Sequence, residues 1–150
     1  MKKNKKIFLR NSNWQFRGSV IDNFDYHIDK SVPLYKETHN LYLYLSDFFL
    51  EEKTKIIDIG CSTGTFLQKL IRRHKNVARF KNIKLIGIDN EKDMIKKSKK
   101  KISYKNLKFL NKSVFQTKLD NSCIISSFYT MQFIHVSKRQ KLVNKIFKSL

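Results

Sequence analysis

The sequence predicts an α/β domain: a parallel sheet, wound right-handed, with helices packed on it. Three observations lead there. Two isoleucine-containing runs, Lys55–Ile59 and Lys84–Asp89, have the continuous apolar character of strands buried on both faces. Segments with apolar residues at helical spacing lie between and after them. The first run enters Gly60-Cys-Ser-Thr-Gly64, a tight turn that opens a helix.

The elements follow in order. Residues 1–13 are basic and polar and read as a flexible tail. Residues 14–35 mix aromatics, charges and the single proline, Pro33, and read as an irregular but ordered lead-in, with Trp14, Phe16 and Phe24 packing beneath it. Between Tyr35 and Leu50, the residues Leu41, Leu45, Phe48 and Phe49 recur at helical spacing and mark the apolar face of an amphipathic helix. The first strand, Lys55–Ile59, and the glycine turn come next. Phe66, Leu67, Leu70 and Ile71 mark the buried face of the following helix. After the strand Lys84–Asp89, Asn90 is placed to cap a helix whose apolar face is Met94, Ile95 and Ile102. Leu107–Leu110 reads as a third strand and Cys123–Tyr129 as a fourth. Ser137 and Gln140 have capping-box spacing, and Leu142, Val143, Ile146, Phe147 and Leu150 mark the inner face of the last helix.

Composition narrows the class. In 150 residues, 41% apolar content is enough for one core and argues against wholesale disorder. No apolar run approaches the ~18 residues of a membrane span, so no membrane partner is expected. The basic start is followed only by Ile7-Phe8-Leu9, short of the about 7–15 apolar residues of a secretory signal. Cys61 and Cys123 lack metal-ligand spacing and read as reduced thiols of a cytoplasmic protein, with no metal site. The net charge is +20. One reading is a polyanion partner such as RNA. The other is codon bias, because 26 of the 32 basic residues are lysine, with 16 isoleucines and a single alanine, Ala78.

The chemistry concentrates in Asp58-Ile-Gly60-Cys-Ser62-Thr-Gly64, with Asp89 at the end of the next strand. Glycines at 60 and 64 let the backbone pass close to a ligand, and the helix behind them offers free N–H groups. In such sheets, ligands bind beyond the C-terminal strand ends. Asp89 there can accept hydrogen bonds from two ribose hydroxyls, and Asp58 can hold an amino group. A dinucleotide fingerprint would need a third glycine that is absent. The Gly-x-Ser-x-Gly spacing also matches a hydrolase nucleophile elbow with Ser62 as nucleophile, but no acid and histidine follow in triad arrangement. Cys61, near a helix N-terminus, is a weaker candidate nucleophile.

The pattern resembles the S-adenosylmethionine (SAM) motif of class I methyltransferases. Further residues sharpen the resemblance: Phe24-Asp-Tyr-His-Ile28, Ser31-Val-Pro-Leu-Tyr35, Ile59-Gly-Cys-Ser62, Ile88-Asp-Asn90, Met94-Ile95, Thr130-Met-Gln-Phe133 and Arg139-Gln140. Over about residues 14–150 the chain resembles the carboxy-S-adenosylmethionine synthase family. Such enzymes convert SAM and prephenate into carboxy-SAM, the methyl carbon taking up carbon dioxide released from prephenate. A partner enzyme then transfers the product to the wobble uridine of tRNA. The resemblance implies that Tyr35 contacts SAM. It places Gly60, Cys61 and Ser62 along the methionine part, and Asp89 and Asn90 at the ribose and adenine. Ser113-Val114 stand where the family has Asp-Ile near the adenine, and Phe128 stands where it has asparagine. No catalytic residue is assigned.

Four strands against the seven of a full sheet predict the N-terminal portion of a Rossmann-like class I methyltransferase sheet, strands 1–4 with flanking helices. Residues 55–150 would form the SAM-binding domain, stopping before a fifth strand and before the substrate's carboxylate anchor, with 14–50 as lead-in and helix. A homodimer and a tRNA contact stay open. So do two other functions: a methyltransferase acting on a small molecule or RNA, and a non-catalytic SAM- or RNA-binding module.

Overall fold

A computed structural model describes residues 23–150. The expected tail, Trp14 and Phe16 lie outside the described residues. Nine regular elements follow one another: α1 (Phe24–Ser31), α2 (Tyr35–Phe49), β1 (Lys55–Ile59), α3 (Thr65–His74), β2 (Lys84–Asp89), α4 (Lys92–Lys101), β3 (Leu107–Asn111), β4 (Ser122–Ser126) and α5 (Val136–Phe147). Short 3₁₀ turns occupy Arg79–Asn82, Val114–Gln116 and Met131–Phe133.

The four strands form one parallel sheet in the order β3-β2-β1-β4. Chain order reverses direction between β1 and β4, so β1 sits at the switch point, where the loops on either side part and leave a crevice. The pleat sends successive β1 residues to opposite faces. Ile56 joins Leu67, Leu70, Phe80, Leu85 and Ile95 under α2, α3 and α4. Ile57 and Ile59 join Ile88, Val114, Leu119 and Leu142 under α5. With both faces covered, the strand must be apolar throughout, which is why Asp58 stands out. Among the described residues, β4 pairs only with β1 and β3 only with β2, so both are edges.

Several expectations are corrected. The lead-in is not wholly irregular, since it contains α1, docked through Phe24 against Met94. The stripe Leu41, Leu45, Phe48 and Phe49 is exposed, with Phe48 81% accessible. The buried side of α2 is His39, Leu43 and Ser46. That side is chosen by a polar pin: Ser46 Oγ lies 2.7 Å from His74 Nε2 of α3, and Arg73 Nε donates to Asp47 Oδ1 at 2.8 Å. Asn90 does not cap α4. Glu91 is the cap residue, and its N–H donates to Asp89 Oδ1 at 2.8 Å. The capping box at Ser137 is not formed either, because the cap of α5 is two residues earlier, at His135, whose Nδ1 accepts the Ser137 N–H. Of the expected inner face of α5, Leu142 is fully buried and Ile146 partly so, while Val143, Phe147 and Leu150 are exposed. The fourth strand ends at Ser126, short of Tyr129.

Among the described residues, no helix is long and apolar enough to cross a membrane.

Candidate cofactor site

The turn after β1 folds back on β2. Gly60 N–H and Cys61 N–H both donate to Ile88 O, at 2.8 and 3.0 Å, and Gly64 N–H closes the turn on Cys61 O at 2.8 Å. This path requires left-handed backbone at three positions: Gly60 (φ 70°), Ser62 (φ 49°) and Gly64 (φ 76°). At Gly60 a side chain would also collide with Thr130, whose hydroxyl donates to Ile59 O at 3.1 Å. Ser62 takes its left-handed conformation without being glycine. The main-chain N–H of Ser62 donates to Asp89 Oδ2 at 2.8 Å, and its hydroxyl donates to Met94 Sδ at 3.4 Å. The hydroxyl is thus directed at a thioether and not at a histidine, which removes the nucleophile-elbow reading.

Within the protein the Asp89 carboxylate accepts the Ser62 N–H at Oδ2 and the Glu91 N–H at Oδ1, with the Asn90 N–H also directed at it. A carboxylate has about four lone-pair sites, so acceptor capacity is left over for a ligand hydroxyl. Partial burial raises the Asp89 pKa, against the pull of those N–H bonds. Asn111, at the end of β3, donates to the carbonyls of Asp89 at 3.0 Å and Asn90 at 2.8 Å. It ties the tips of β2 and β3 together. The Asn90 side chain is exposed.

Asp58 is buried, at 3% accessibility, and receives a hydrogen bond from Ser126 Oγ at 2.8 Å. Desolvation pushes its pKa up to about 7, with Asp89 adding repulsion. No ion pair is formed by Asp58 among the described residues. Burial, followed by the nearby charges of Asp58 and Asp89, pushes the Cys61 thiol far up. Its side chain is buried, at 4% accessibility, and packs in the core. Tyr35 lies on the opposite rim. Its ring centroid is 4.4 Å from that of His39 and 5.9 Å from that of Tyr129, and burial together with Asp25 and Asp58 raises its phenol pKa. Tyr129 joins this rim to α2 through Thr38, whose Oγ1 is 3.0 Å from Tyr129 Oη.

The structure thus brings Asp58, Gly60, Cys61, Ser62, Gly64 and Asp89 into one turn-and-strand-end cluster, with Tyr35 beside it. Ser113 and Val114 follow β3 on the far side of Asp89. Ser113 Oγ accepts the Phe115 N–H, and Val114 is buried in the core under α5 with its carbonyl taken by Lys145 Nζ at 2.8 Å. Phe128 packs against Phe66, His39 and Tyr42, each with centroids 4.7 Å away. Sequence reasoning missed Asp25, Thr63, Thr65 and Lys101. Asp25 of α1 accepts hydrogen bonds from the hydroxyls of Thr63 and Thr65, and Lys101 Nζ donates to it at 2.9 Å. These partners lie 38 to 76 positions from Asp25, so no local pattern could reveal them.

Residues 50–150 match a family described as a methyltransferase domain. The chain belongs to this methyltransferase-domain family. Among curated relatives, it is 41% identical over 139 residues to the carboxy-S-adenosyl-L-methionine synthase of Nautilia profundicola, covering 91% of this chain and 57% of that protein. It is 34% identical to the synthase of the same name from Staphylococcus epidermidis, covering 91% and 58%. The chain therefore spans little more than half the length of these relatives. A putative SAM-dependent methyltransferase from Methanococcus maripaludis superposes with a TM-score of 0.64 at 19% identity, covering 97% of this chain and 62% of the other. A SAM-dependent methyltransferase from Aquifex aeolicus gives 0.59 at 20% identity, covering 88% and 68%. These two establish the shared methyltransferase-domain fold, a class I α/β sheet.

Proposed function

We propose that the turn after β1 binds SAM and that the chain is the cofactor-binding part of a SAM-dependent transferase of the carboxy-SAM synthase kind. The observation that carries this is the pair of carboxylates at the switch point. Asp89 locks the turn while keeping lone pairs open, and Asp58 is buried without a cation. A ligand with a ribose diol and an ammonium group supplies what each lacks. SAM has both groups, and when bound it supplies an activated methyl on a sulfonium. In this reading Gly60, Cys61, Ser62 and Gly64 border the methionine part. Asp58 stabilises the amino group, Asp89 holds the ribose and Tyr35 closes the opposite rim. Asn90, Ser113 and Val114 border the adenine through their main chain.

Residues 55–150 then form the cofactor domain, with residues 14–50 as its lead-in and helix. The second substrate is prephenate, as the resemblance implies, and the enzyme is cytoplasmic. Self-association and tRNA contact belong to the same reading and are checked by sedimentation and by salt-dependent gel shift.

One observation favours a second reading, a methyltransferase proper. Phe128 puts an apolar ring in the core where the synthase family has an asparagine. Mass spectrometry after incubation with SAM and prephenate separates the readings. Carboxy-SAM supports the synthase. S-adenosylhomocysteine with a methylated acceptor supports the methyltransferase. Bound but unchanged SAM points to a binding module.

A further inference from the structure

We propose that Asp25 is a positioning residue that clamps the cofactor turn from α1, beside the brace that Asp89 provides from β2. The inference rests on the SAM reading for its functional consequence, but the clamp itself is geometric.

The turn from Gly60 to Gly64 lacks a cap of its own. Gly64 is the N-cap of α3, and having no side chain it offers the first-turn N–H groups no acceptor. Its neighbours on both sides are threonines, and both hydroxyls reach the same oxygen, Asp25 Oδ1. Lys101, the last residue of α4, donates to Asp25 Oδ2 at 2.9 Å and to Thr65 Oγ1 at 2.9 Å. Thr65 thereby accepts from Lys101 and donates to Asp25, so Asp25, Thr65 and Lys101 close a ring on which Thr63 hangs, joining α1, the turn, α3 and α4. Thr63 is 1% accessible, so its hydroxyl would be costly to leave unpaired. Against the burial that would raise it, the bonds from Thr63 and Lys101 hold the Asp25 carboxyl below its ordinary pKa.

Phe24, the neighbour of Asp25, anchors the same end of α1. It packs on Met94, and Met94 in turn accepts the Ser62 hydroxyl. Beyond the main-chain bonds that start and close it, the turn is thus gripped by side chains at two places, Ser62 from β2 and α4, and Thr63 with Thr65 from α1. Releasing one grip frees half the turn without touching the sheet. Asp25 reaches the turn through the hydrogen bonds of Thr63 and Thr65, and its charge also acts on Tyr35, so exchange at the turn amides is the readout that isolates the clamp.

The test uses the full chain and the variants Asp25→Ala and Lys101→Met. Hydrogen exchange of the Thr63, Gly64 and Thr65 amides is measured without ligand, and SAM dissociation is followed by stopped flow. The clamp predicts faster exchange at these amides in both variants, while β1 and β2 amides keep their protection. It also predicts SAM release about tenfold faster in Asp25→Ala. Unchanged exchange at residues 63–65 in both variants would overturn it. So would wild-type SAM release from an Asp25→Ala protein that binds SAM. If Asp25→Ala loses protection everywhere, Lys101→Met decides by the same local exchange. If the wild type binds no SAM, the functional reading fails, and exchange alone decides the clamp.

Discussion

The main-chain N–H of Ser62 and the carboxylate of Asp89, 27 positions apart, meet at 2.8 Å across the mouth of the sheet. This bond makes the loop after one strand a function of the residue ending the next. A short acidic side chain at that strand tip can brace the turn and face a ligand together, because a carboxylate has lone pairs for both. Substituting asparagine tests this economy. Asp89→Asn keeps the shape but has only one acceptor oxygen, so either the Ser62 or the Glu91 N–H faces a donor. Denaturant unfolding should show a loss of about 1–3 kcal/mol, with SAM affinity falling by a similar amount. Wild-type values for both would remove Asp89 from the proposed role.

Backbone conformation separates two positions of the same turn. Gly60→Ala places a side chain at φ 70° and into Thr130, so a marked fall in melting temperature is expected. Ser62→Gly, at φ 49°, relieves left-handed strain of about 1 kcal/mol at the cost of the Met94 contact. It should melt within a few degrees of the wild type. Equal damage from both substitutions would contradict the turn geometry.

Burial of Asp58 gives a proton signature. With its pKa pushed up to about 7, Asp58 is mostly protonated at pH 6. An ammonium group bound beside it favours the carboxylate, so SAM binding should release close to one proton at pH 6 and fewer above pH 8. Calorimetry in buffers of different ionisation enthalpy reads this number, and Asp58→Asn should abolish it. In the free protein the sign is opposite to that of a salt-bridged acid. The raised folded pKa makes Asp58 cost stability as pH rises from about 4 to 7.

His39 acts in the other direction. Burial, with Lys69 nearby, lowers its pKa to about 4, so the unfolded chain binds a proton that the folded one refuses. Its neutral packing is fully favourable above about pH 6.5, and up to about 3 kcal/mol is lost as pH falls toward 4. His39→Phe should flatten that part of the stability profile. An unchanged acid slope would show that His39 is not its source.

The strands and the turn were legible because their signals are local. β1 and β2 begin and end where the isoleucine-containing runs do, and the spacing of Gly60, Gly64 and Asp89 announced a strand–turn–helix with an acid at the next strand tip. The packing face of α2 was not legible. Its sequence carries apolar residues around much of its circumference, and a hydrophobic stripe says only that one face is apolar. The side actually buried is set by the Ser46–His74 pair, and polar groups paired across helices leave no periodic mark. Helix α1 was hidden for a related reason, since Asp25 draws its meaning from Thr63, Thr65 and Lys101. Asn90 and Ser137 show the limit of capping rules, because a neighbour, Glu91 held by Asp89 in one case and His135 in the other, took the cap position.

The central claim is that the turn braced by Asp89 is a SAM site. Calorimetric titration of SAM into the folded full chain, in parallel with Asp89→Ala, tests it most directly. The account predicts saturable binding at one site per chain in the wild type, weakened by about 1.5–3 kcal/mol in the variant. A folded wild-type chain that shows no binding at millimolar SAM, or a variant that binds as tightly as the wild type, would contradict it.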